Sequence, residues 1–201
     1  MGVPRILVVC TANVCRSPMG AALLQHQLDA VGVAAVVTSA GTSPVTLPVD
    51  PVATEVLAAR GIDISAHRPR MATKQVVATD GADLVIAMTR AHLRVVATTQ
   101  RDAFFRTFTL RELSRRHVSI QTAVPAVAEA NSVTLAAWTT VLSAGRRPID
   151  LLGDSVDDDI ADPYGMGHAR VAAAAADIDQ LIGSFVHDPP WSGLKGQPGH
   201  C

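Results

Sequence analysis

Short, uninterrupted apolar runs separated by amphipathic stretches constrain this chain more than any other feature. Between Arg5 and Cys10 lies Ile-Leu-Val-Val, with no polar residue, the pattern of a parallel strand buried on both faces. Leu23, Leu24, Gln27, Leu28 and Val31 then recur at helical spacing over Pro18 to Val31. Ala35 to Ser39 reads as a second strand ended by Gly41, and Pro51 to Ala59 as a helix stopped by Gly61. Asp83 to Met88 gives a third strand, Thr89 to Thr98 the helix after it, and Phe105 to Leu110 a fourth strand. His168 to Val186 closes the pattern as a helix with Val171, Ala175, Ile178, Ile182 and Phe185 on one stripe. Strands alternating with helices imply βαβ units and a parallel sheet, an α/β fold.

Composition narrows the function classes. The 201 residues are a one-domain length. Aromatics make up only 3% against 48% hydrophobic residues, so Ala, Val, Leu and Ile must build the core. Seventeen basic and eighteen acidic residues give a net charge of −1, which leaves no excess to neutralise phosphates and argues against a nucleic-acid partner. Three cysteines cannot form a disulfide framework; free thiols fit a reducing compartment. With no secretory leader and no long apolar stretch, the expectation is a cytoplasmic protein with no membrane partner. One domain is expected over 1–187, with a helical insertion over 112–150 (helices near 120–130 and 132–144, Trp138 in the core) and a Pro/Gly-rich tail over 188–201.

The chemistry gathers between the first strand and the first helix, in Cys10-Thr-Ala-Asn13-Val-Cys15-Arg16-Ser17-Pro18. Ser17 reads as the helix N-cap and Pro18 as its first residue. Unpaired N–H groups and the positive dipole end of a helix start bind anions, and would stabilise a thiolate at Cys10. Arg16 can fork two donors onto phosphate oxygens. A Walker-type loop would need glycines and a Lys, which are missing. A zinc site on Cys10 and Cys15 would need a second close Cys/His pair; no metal or other cofactor is expected. His26, His92, His117, His168, His187 and His200 show no ligand-like grouping. The competing reading of Cys10 is a buried structural cysteine at a strand end.

This loop resembles that of the low-molecular-weight protein tyrosine phosphatase family. Further matches come in the family's order: Val37-Thr-Ser-Ala-Gly-Thr42, Pro48-Val-Asp-Pro51, Gly61-Ile-Asp-Ile-Ser65, His67-Arg68-Pro-Arg70, Asp83 to Met88, and the acid loop Ala161-Asp162-Pro163-Tyr164-Gly165. The resemblance spans roughly residues 5–110 and 157–187. It implies a flavodoxin-like, doubly wound four-stranded parallel sheet with flanking helices and the site at the strands' carboxyl edge.

The resemblance also implies roles. Cys10 is the expected nucleophile, forming a thiophosphoryl enzyme, Arg16 binds the phosphoryl oxygens, and Asp162 is the acid. Thr11, Ala12, Asn13, Val14, Cys15, Ser17 and Tyr164 are the expected substrate-binding residues. Asn13 would hold the loop through its amide, and Ser17 would donate to Cys10 besides capping. Cys15 has two readings: it fills space in the loop, or, as the resemblance implies, it can pair with Cys10 on oxidation. Asp162 is preferred over Asp157, Asp158 and Asp159, which read as a solvated acidic loop, because Pro163 restricts its backbone. Cys201 reads as a bystander thiol and His67-Arg68 as surface loop.

The chain departs from the family in three places. Thr89 stands where the family commonly has Asp, and should cap the next helix. Gly165 replaces a second aromatic, and the Thr42–Pro48 loop lacks a Trp or Tyr. The expected substrate is a phosphotyrosine protein, with phosphate or a similar oxyanion in the loop and a monomer or weak homodimer as the working form. Related protein arginine phosphatases carry Thr where this chain has Val14, which favours tyrosine. Arsenate reduction on the same fold is a further alternative: a thiol relay needs late cysteines, of which only Cys201 remains, whereas a version using a small thiol as reductant needs only Cys10.

Overall fold

The computed structural model describes residues 2–44, 47–78, 81–123 and 134–187. Strands β1 (Arg5–Cys10), β2 (Val36–Gly41), β3 (Leu84–Ala87) and β4 (Thr107–Thr109) form one parallel sheet in the order β2-β1-β3-β4. Ile6 pairs with Val37 on one side and Leu84 on the other, Val9 with Ala40 and Ala87, and Ile86 with Phe108. The path runs outward from β1 to β2 and then returns across β1 to β3. The switch point is therefore the carboxyl end of β1, where open α/β sheets take their ligands.

Seven helices surround the sheet among the described residues: α1 (Arg16–Ala30), α2 (Pro51–Ala58), α3 (Lys74–Val77), α4 (Arg90–Thr99), α5 (Leu110–Ala123), α6 (Leu135–Ser143) and α7 (His168–Val186). The period-two alternation of β1 divides the core between two faces. Ile6, Val8 and Cys10 join α1, α2, α5, α6 and α7 in one cluster, while Leu7 and Val9 pack with Val77, Leu93, Val96 and Phe104 in the other. Val171, Ile178, Ile182 and Phe185 are at most 2% exposed, and burial of side chains of this size stabilises by about 1.5–3 kcal/mol each. Aliphatic residues do carry most of the core, as the composition requires.

The strands and the longer helices come in the order of the sequence reading, and β1 and α7 match it to the residue. The short α3 was not expected, and β2 runs from Val36 to Gly41 instead of Ala35 to Ser39. Three further places differ. The helix expected from Pro18 begins at Arg16, with Cys15 as its cap residue making no side-chain cap bond. Residues 101–106 form a 3-10 turn, which shortens the fourth strand to three residues and leaves Phe105 edge-on to Phe104. The chain then enters α5 at Leu110, so a boundary at 112 falls inside a helix packed on α7.

The segment after α6 is tied back to the sheet by Arg146. Its buried guanidinium donates to both Glu112 carboxylate oxygens and to the carbonyls of Phe104 and Thr107, and lies over the Phe104 and Phe108 rings. Trp138 is buried, as expected. The helix expected near 120–130 is described only to residue 123, and the tail over 188–201, with Cys201 and His200, lies outside the described residues. No helix among the described residues is long and apolar enough to cross a membrane.

Candidate active site

The loop between β1 and α1 curls because three groups pull it inward. Asn13 sits at φ 57°, a left-handed conformation that Asn tolerates better than most residues. Its side-chain Nδ2 donates to Ser17 Oγ at 2.9 Å and to Ser39 Oγ at 2.8 Å, and its Oδ1 accepts from Arg70 N at 3.0 Å. His67 Nε2 donates to the Asn13 carbonyl at 2.9 Å. At the end of β2 a Cβ on Gly41 would stand 2.7 Å from the Thr11 carbonyl oxygen. Glycine there is what lets β2 close on the loop.

Ser17 lies inside the first turn of α1 rather than capping it. Its Oγ, which accepts from Asn13, stands 2.9 Å from Cys10 Sγ and 3.4 Å from the Ala40 carbonyl. The hydroxyl hydrogen is within reach of both the Ala40 carbonyl and sulfur, and turned to the nearer sulfur it would donate to a Cys10 thiolate. A capping role would need the same oxygen to face the helix N–H groups. Tertiary contacts therefore decide against the cap.

Arg16 closes the loop. Its side chain is 5% exposed, with Nη1 donating to the Ile160 carbonyl at 3.0 Å and Nη2 to Thr11 Oγ1 at 3.3 Å and to Asp162 Oδ2. Arg16 Nε is buried with no protein partner among the described residues. Buried donors are rarely left unpaired, so this N–H is a ready contact for an oxyanion. Asp162 is half-exposed, and its Oδ1 accepts from Tyr164 N at 3.2 Å, which fixes the carboxylate on its own loop.

The other expected residues divide by exposure. Thr11 and Tyr164 are exposed and Ala12 is half-buried. Val14 and Cys15 are buried in the core beneath the loop. Cys10 and Cys15 are both free thiols. Burial, followed by the negative charge of Asp50, pushes the Cys15 thiol well up and keeps it protonated. Beside Ala12 a hollow of about 440 Å³ is lined by Pro44, Leu47, Pro69 and Met71 together with Ser43 and Arg70, with no aromatic wall.

Two contacts escaped the sequence reading. His67 braces the loop at Asn13 instead of lying in a surface loop. His92 is 6% exposed and joins Thr89 to Thr11, with ring nitrogens 2.9 Å from each hydroxyl. Its one sequence signal was Thr89, which does cap α4 by accepting from His92 N.

Of the acidic stretch before Asp162, Asp157 is exposed as expected, but Asp158 and Asp159 are not simply solvated. Asp158 is 2% exposed and is held by Arg90 Nε at 2.6 Å and by Arg115 Nη2, while Asp159 accepts from Arg90 N at 2.7 Å. Ile160 N then donates to the Met88 carbonyl at 2.8 Å. The run is an anchor that delivers Asp162 to Arg16. Burial raises the Asp158 carboxyl, but the bonds and charges of Arg115 and Arg90 outweigh it and hold the group below the usual carboxylate range. A depressed folded value adds stability above the unfolded carboxyl value of about 3.9, and this is lost as pH falls through the folded value. Asp158→Asn is expected to cost about 1–3 kcal/mol at neutral pH. The gap in melting temperature from the parent should shrink below about pH 4. Thermal melts at several pH values measure both; a gap independent of pH would refute the charge-based account.

The geometry can be set beside known proteins. The family model described as low molecular weight phosphotyrosine protein phosphatase matches residues 5–126. A probable low molecular weight protein-tyrosine-phosphatase of Ralstonia solanacearum is 46% identical over 92 residues, 45% of this chain and 59% of that protein. A protein-arginine-phosphatase of Geobacillus stearothermophilus is 41% identical over 110 residues, 54% of this chain and 70% of that protein. The chain thus spans less than two thirds of the Ralstonia relative. Among solved structures, the low molecular weight protein tyrosine phosphatase from T. tengcongensis superposes with TM-score 0.66 at 27% identity, covering 92% of this chain and 98% of its own. The matched sequence stops short of Asp162; only the fold brings that residue to the loop.

Proposed function

The chain belongs to the low molecular weight phosphotyrosine protein phosphatase family, and from that premise we propose that it hydrolyses phosphotyrosine in proteins through a phosphocysteine intermediate. One observation carries the reading: a single Arg16 nitrogen, Nη2, touches both Thr11 of the loop and Asp162 of the distant acid loop, while Cys10 Sγ lies against Ser17 at the loop's origin.

The groups present set the order of steps. A phosphoryl group enters the loop as its monoanion and takes the Arg16 donors, Nε among them, which frees the Asp162 carboxylate to take up the substrate's proton. Cys10 Sγ attacks phosphorus in line as a thiolate held by Ser17. The S–P bond forms as the bond to the leaving oxygen breaks, and Asp162 gives that oxygen its proton. Charge growing on the equatorial oxygens is met by Arg16 and the start of α1. Water then attacks phosphorus, passes its proton to Asp162, and releases phosphate and the Cys10 thiolate. None of these steps requires a cofactor. Thr11, Ala12, Asn13, Val14, Cys15 and Ser17 shape the cradle, and Tyr164 with Leu47 and Met71 supplies the apolar approach. Free thiols at Cys10 and Cys15 suit a reducing cytoplasm.

A second reading, phosphoarginine hydrolysis, is favoured by the relative that is 41% identical and is named a protein-arginine-phosphatase. Val14 weighs against it, since it offers no hydroxyl. The deciding experiment is hydrolysis of p-nitrophenyl phosphate, phosphotyrosine peptides and phosphoarginine peptides, with arsenate reduction by small thiols in parallel. Phosphotyrosine turnover above phosphoarginine is the expected result. Preference for phosphoarginine would transfer the substrate to the second reading, and thiol-dependent arsenate reduction without phosphatase activity would overturn both.

A further inference from the structure

A buried histidine stands between two hydroxyls at the edge of the site, and the phosphatase steps leave it unused. His92 occupies the first turn of α4, 6% exposed. Its Nδ1 is 2.9 Å from Thr89 Oγ1 and its Nε2 is 2.9 Å from Thr11 Oγ1. Two further bonds have fixed direction, because their donors cannot accept. Thr89 Oγ1 accepts from His92 N at 3.3 Å, and Thr11 Oγ1 accepts from Arg16 Nη2 at 3.3 Å. Burial, followed by the positive charge of Arg16, pushes the ring down to about 4, so it carries one proton at neutral pH.

That single proton leaves two arrangements of the chain. With the proton on Nδ1, His92 donates to Thr89, and the Thr11 hydroxyl hydrogen is taken up by Nε2. With the proton on Nε2, the Thr89 hydroxyl donates to Nδ1, and His92 donates to Thr11. Thr11 Oγ1 then accepts twice, from Arg16 and from His92, and its own hydrogen is left facing the exposed mouth of the loop. Thr11 and Asp162 share Arg16 Nη2, so this hydrogen lies beside the oxygens that Arg16 and Asp162 would handle. An anion in the loop needs donors and therefore selects the second arrangement.

We infer that His92 is a positioning residue whose Nε2–H fills the Thr11 oxygen and turns the Thr11 hydroxyl into a donor to the bound phosphoryl group. The inference rests on the phosphatase reading for its effect on turnover, but its effect on anion binding stands apart from it. His92 never touches substrate; it acts through Thr11.

The test is a double-mutant cycle on His92→Ala and Thr11→Val, with kcat and KM for p-nitrophenyl phosphate and, separately, tungstate affinity by calorimetry. A hydrogen bond to a charged group of this kind corresponds to roughly tenfold to a hundredfold. Each single variant is expected to lose that much in kcat/KM, mainly in kcat, and the double variant no more than Thr11→Val alone. Thr11→Ser, which keeps the hydroxyl, should recover most of the loss. His92→Gln, which places an amide N–H near the position of Nε2, should do likewise. Losses that multiply in the double variant, or a His92→Gln variant no better than His92→Ala, would overturn the inference. If wild-type protein turned over no phosphoester, the phosphatase reading would fail, and the same cycle read in tungstate affinity would still decide the role of His92.

Discussion

Cys10→Ser is expected to lower turnover of p-nitrophenyl phosphate by at least about 10⁴-fold while leaving tungstate affinity within about threefold of the parent. The two readouts separate because they depend on different atoms. In the proposed site tungstate would be held by Arg16, by Thr11 and by the backbone at the start of α1, none of which changes. Turnover needs a nucleophile that is already an anion, and a serine hydroxyl beside Ser17 Oγ stays protonated at neutral pH. Cys10 is 3% exposed and packed in the core cluster, and the substitution exchanges sulfur for a smaller oxygen, so the fold should persist. Near-normal turnover in this variant would refute the nucleophile assignment and return Cys10 to a structural role.

The second large effect is expected from Asp162→Asn, and its size should depend on the substrate. General acid catalysis contributes about 10²–10⁴-fold where the leaving oxygen needs a proton. Phenyl phosphate and phosphotyrosine peptides should show a loss of that order. p-Nitrophenyl phosphate, whose leaving group departs as a stable anion, should lose much less in the first step. Asparagine keeps the size of the side chain and can still meet Arg16, which holds the ion pair's geometry near that of the parent. Measuring kcat/KM for substrates of graded leaving-group acidity gives the answer as a slope. Equal losses across the series would mean that Asp162 only anchors Arg16 and that another group supplies the proton.

The loop of Cys10 to Ser17 and the loop of Asp162 were not equally legible in the sequence. Cys10, Asn13, Arg16 and Ser17 fall within one strand–loop–helix turn, and such a turn imposes its own geometry on the residues after the strand. Even there Ser17 was misread: its distance from the helix start suits a cap, and only Ser39, Ala40 and Asn13 packed around it show why its oxygen faces the thiol. The acidic run looked solvated because four Asp in six residues carry no local sign of burial. Arg90 and Arg115, which bury Asp158, come from helices 68 and 43 residues earlier in the chain.

By itself the sequence determined the alternation of strands and helices, the ends of β1 and α7, and the residues of the turn between β1 and α1. These depend on periodicity and on steric rules that operate within a few residues. The tertiary structure alone decided that Asp162 meets Arg16 across 146 residues, that His92 reaches Thr11 across 81, and that Arg146 lies buried on Glu112 across 34. Those pairings arise from the strand order β2-β1-β3-β4, which sets β3 and the helix after it beside the carboxyl end of β1. Apolar spacing records only whether a residue is buried, never which distant segment buries it.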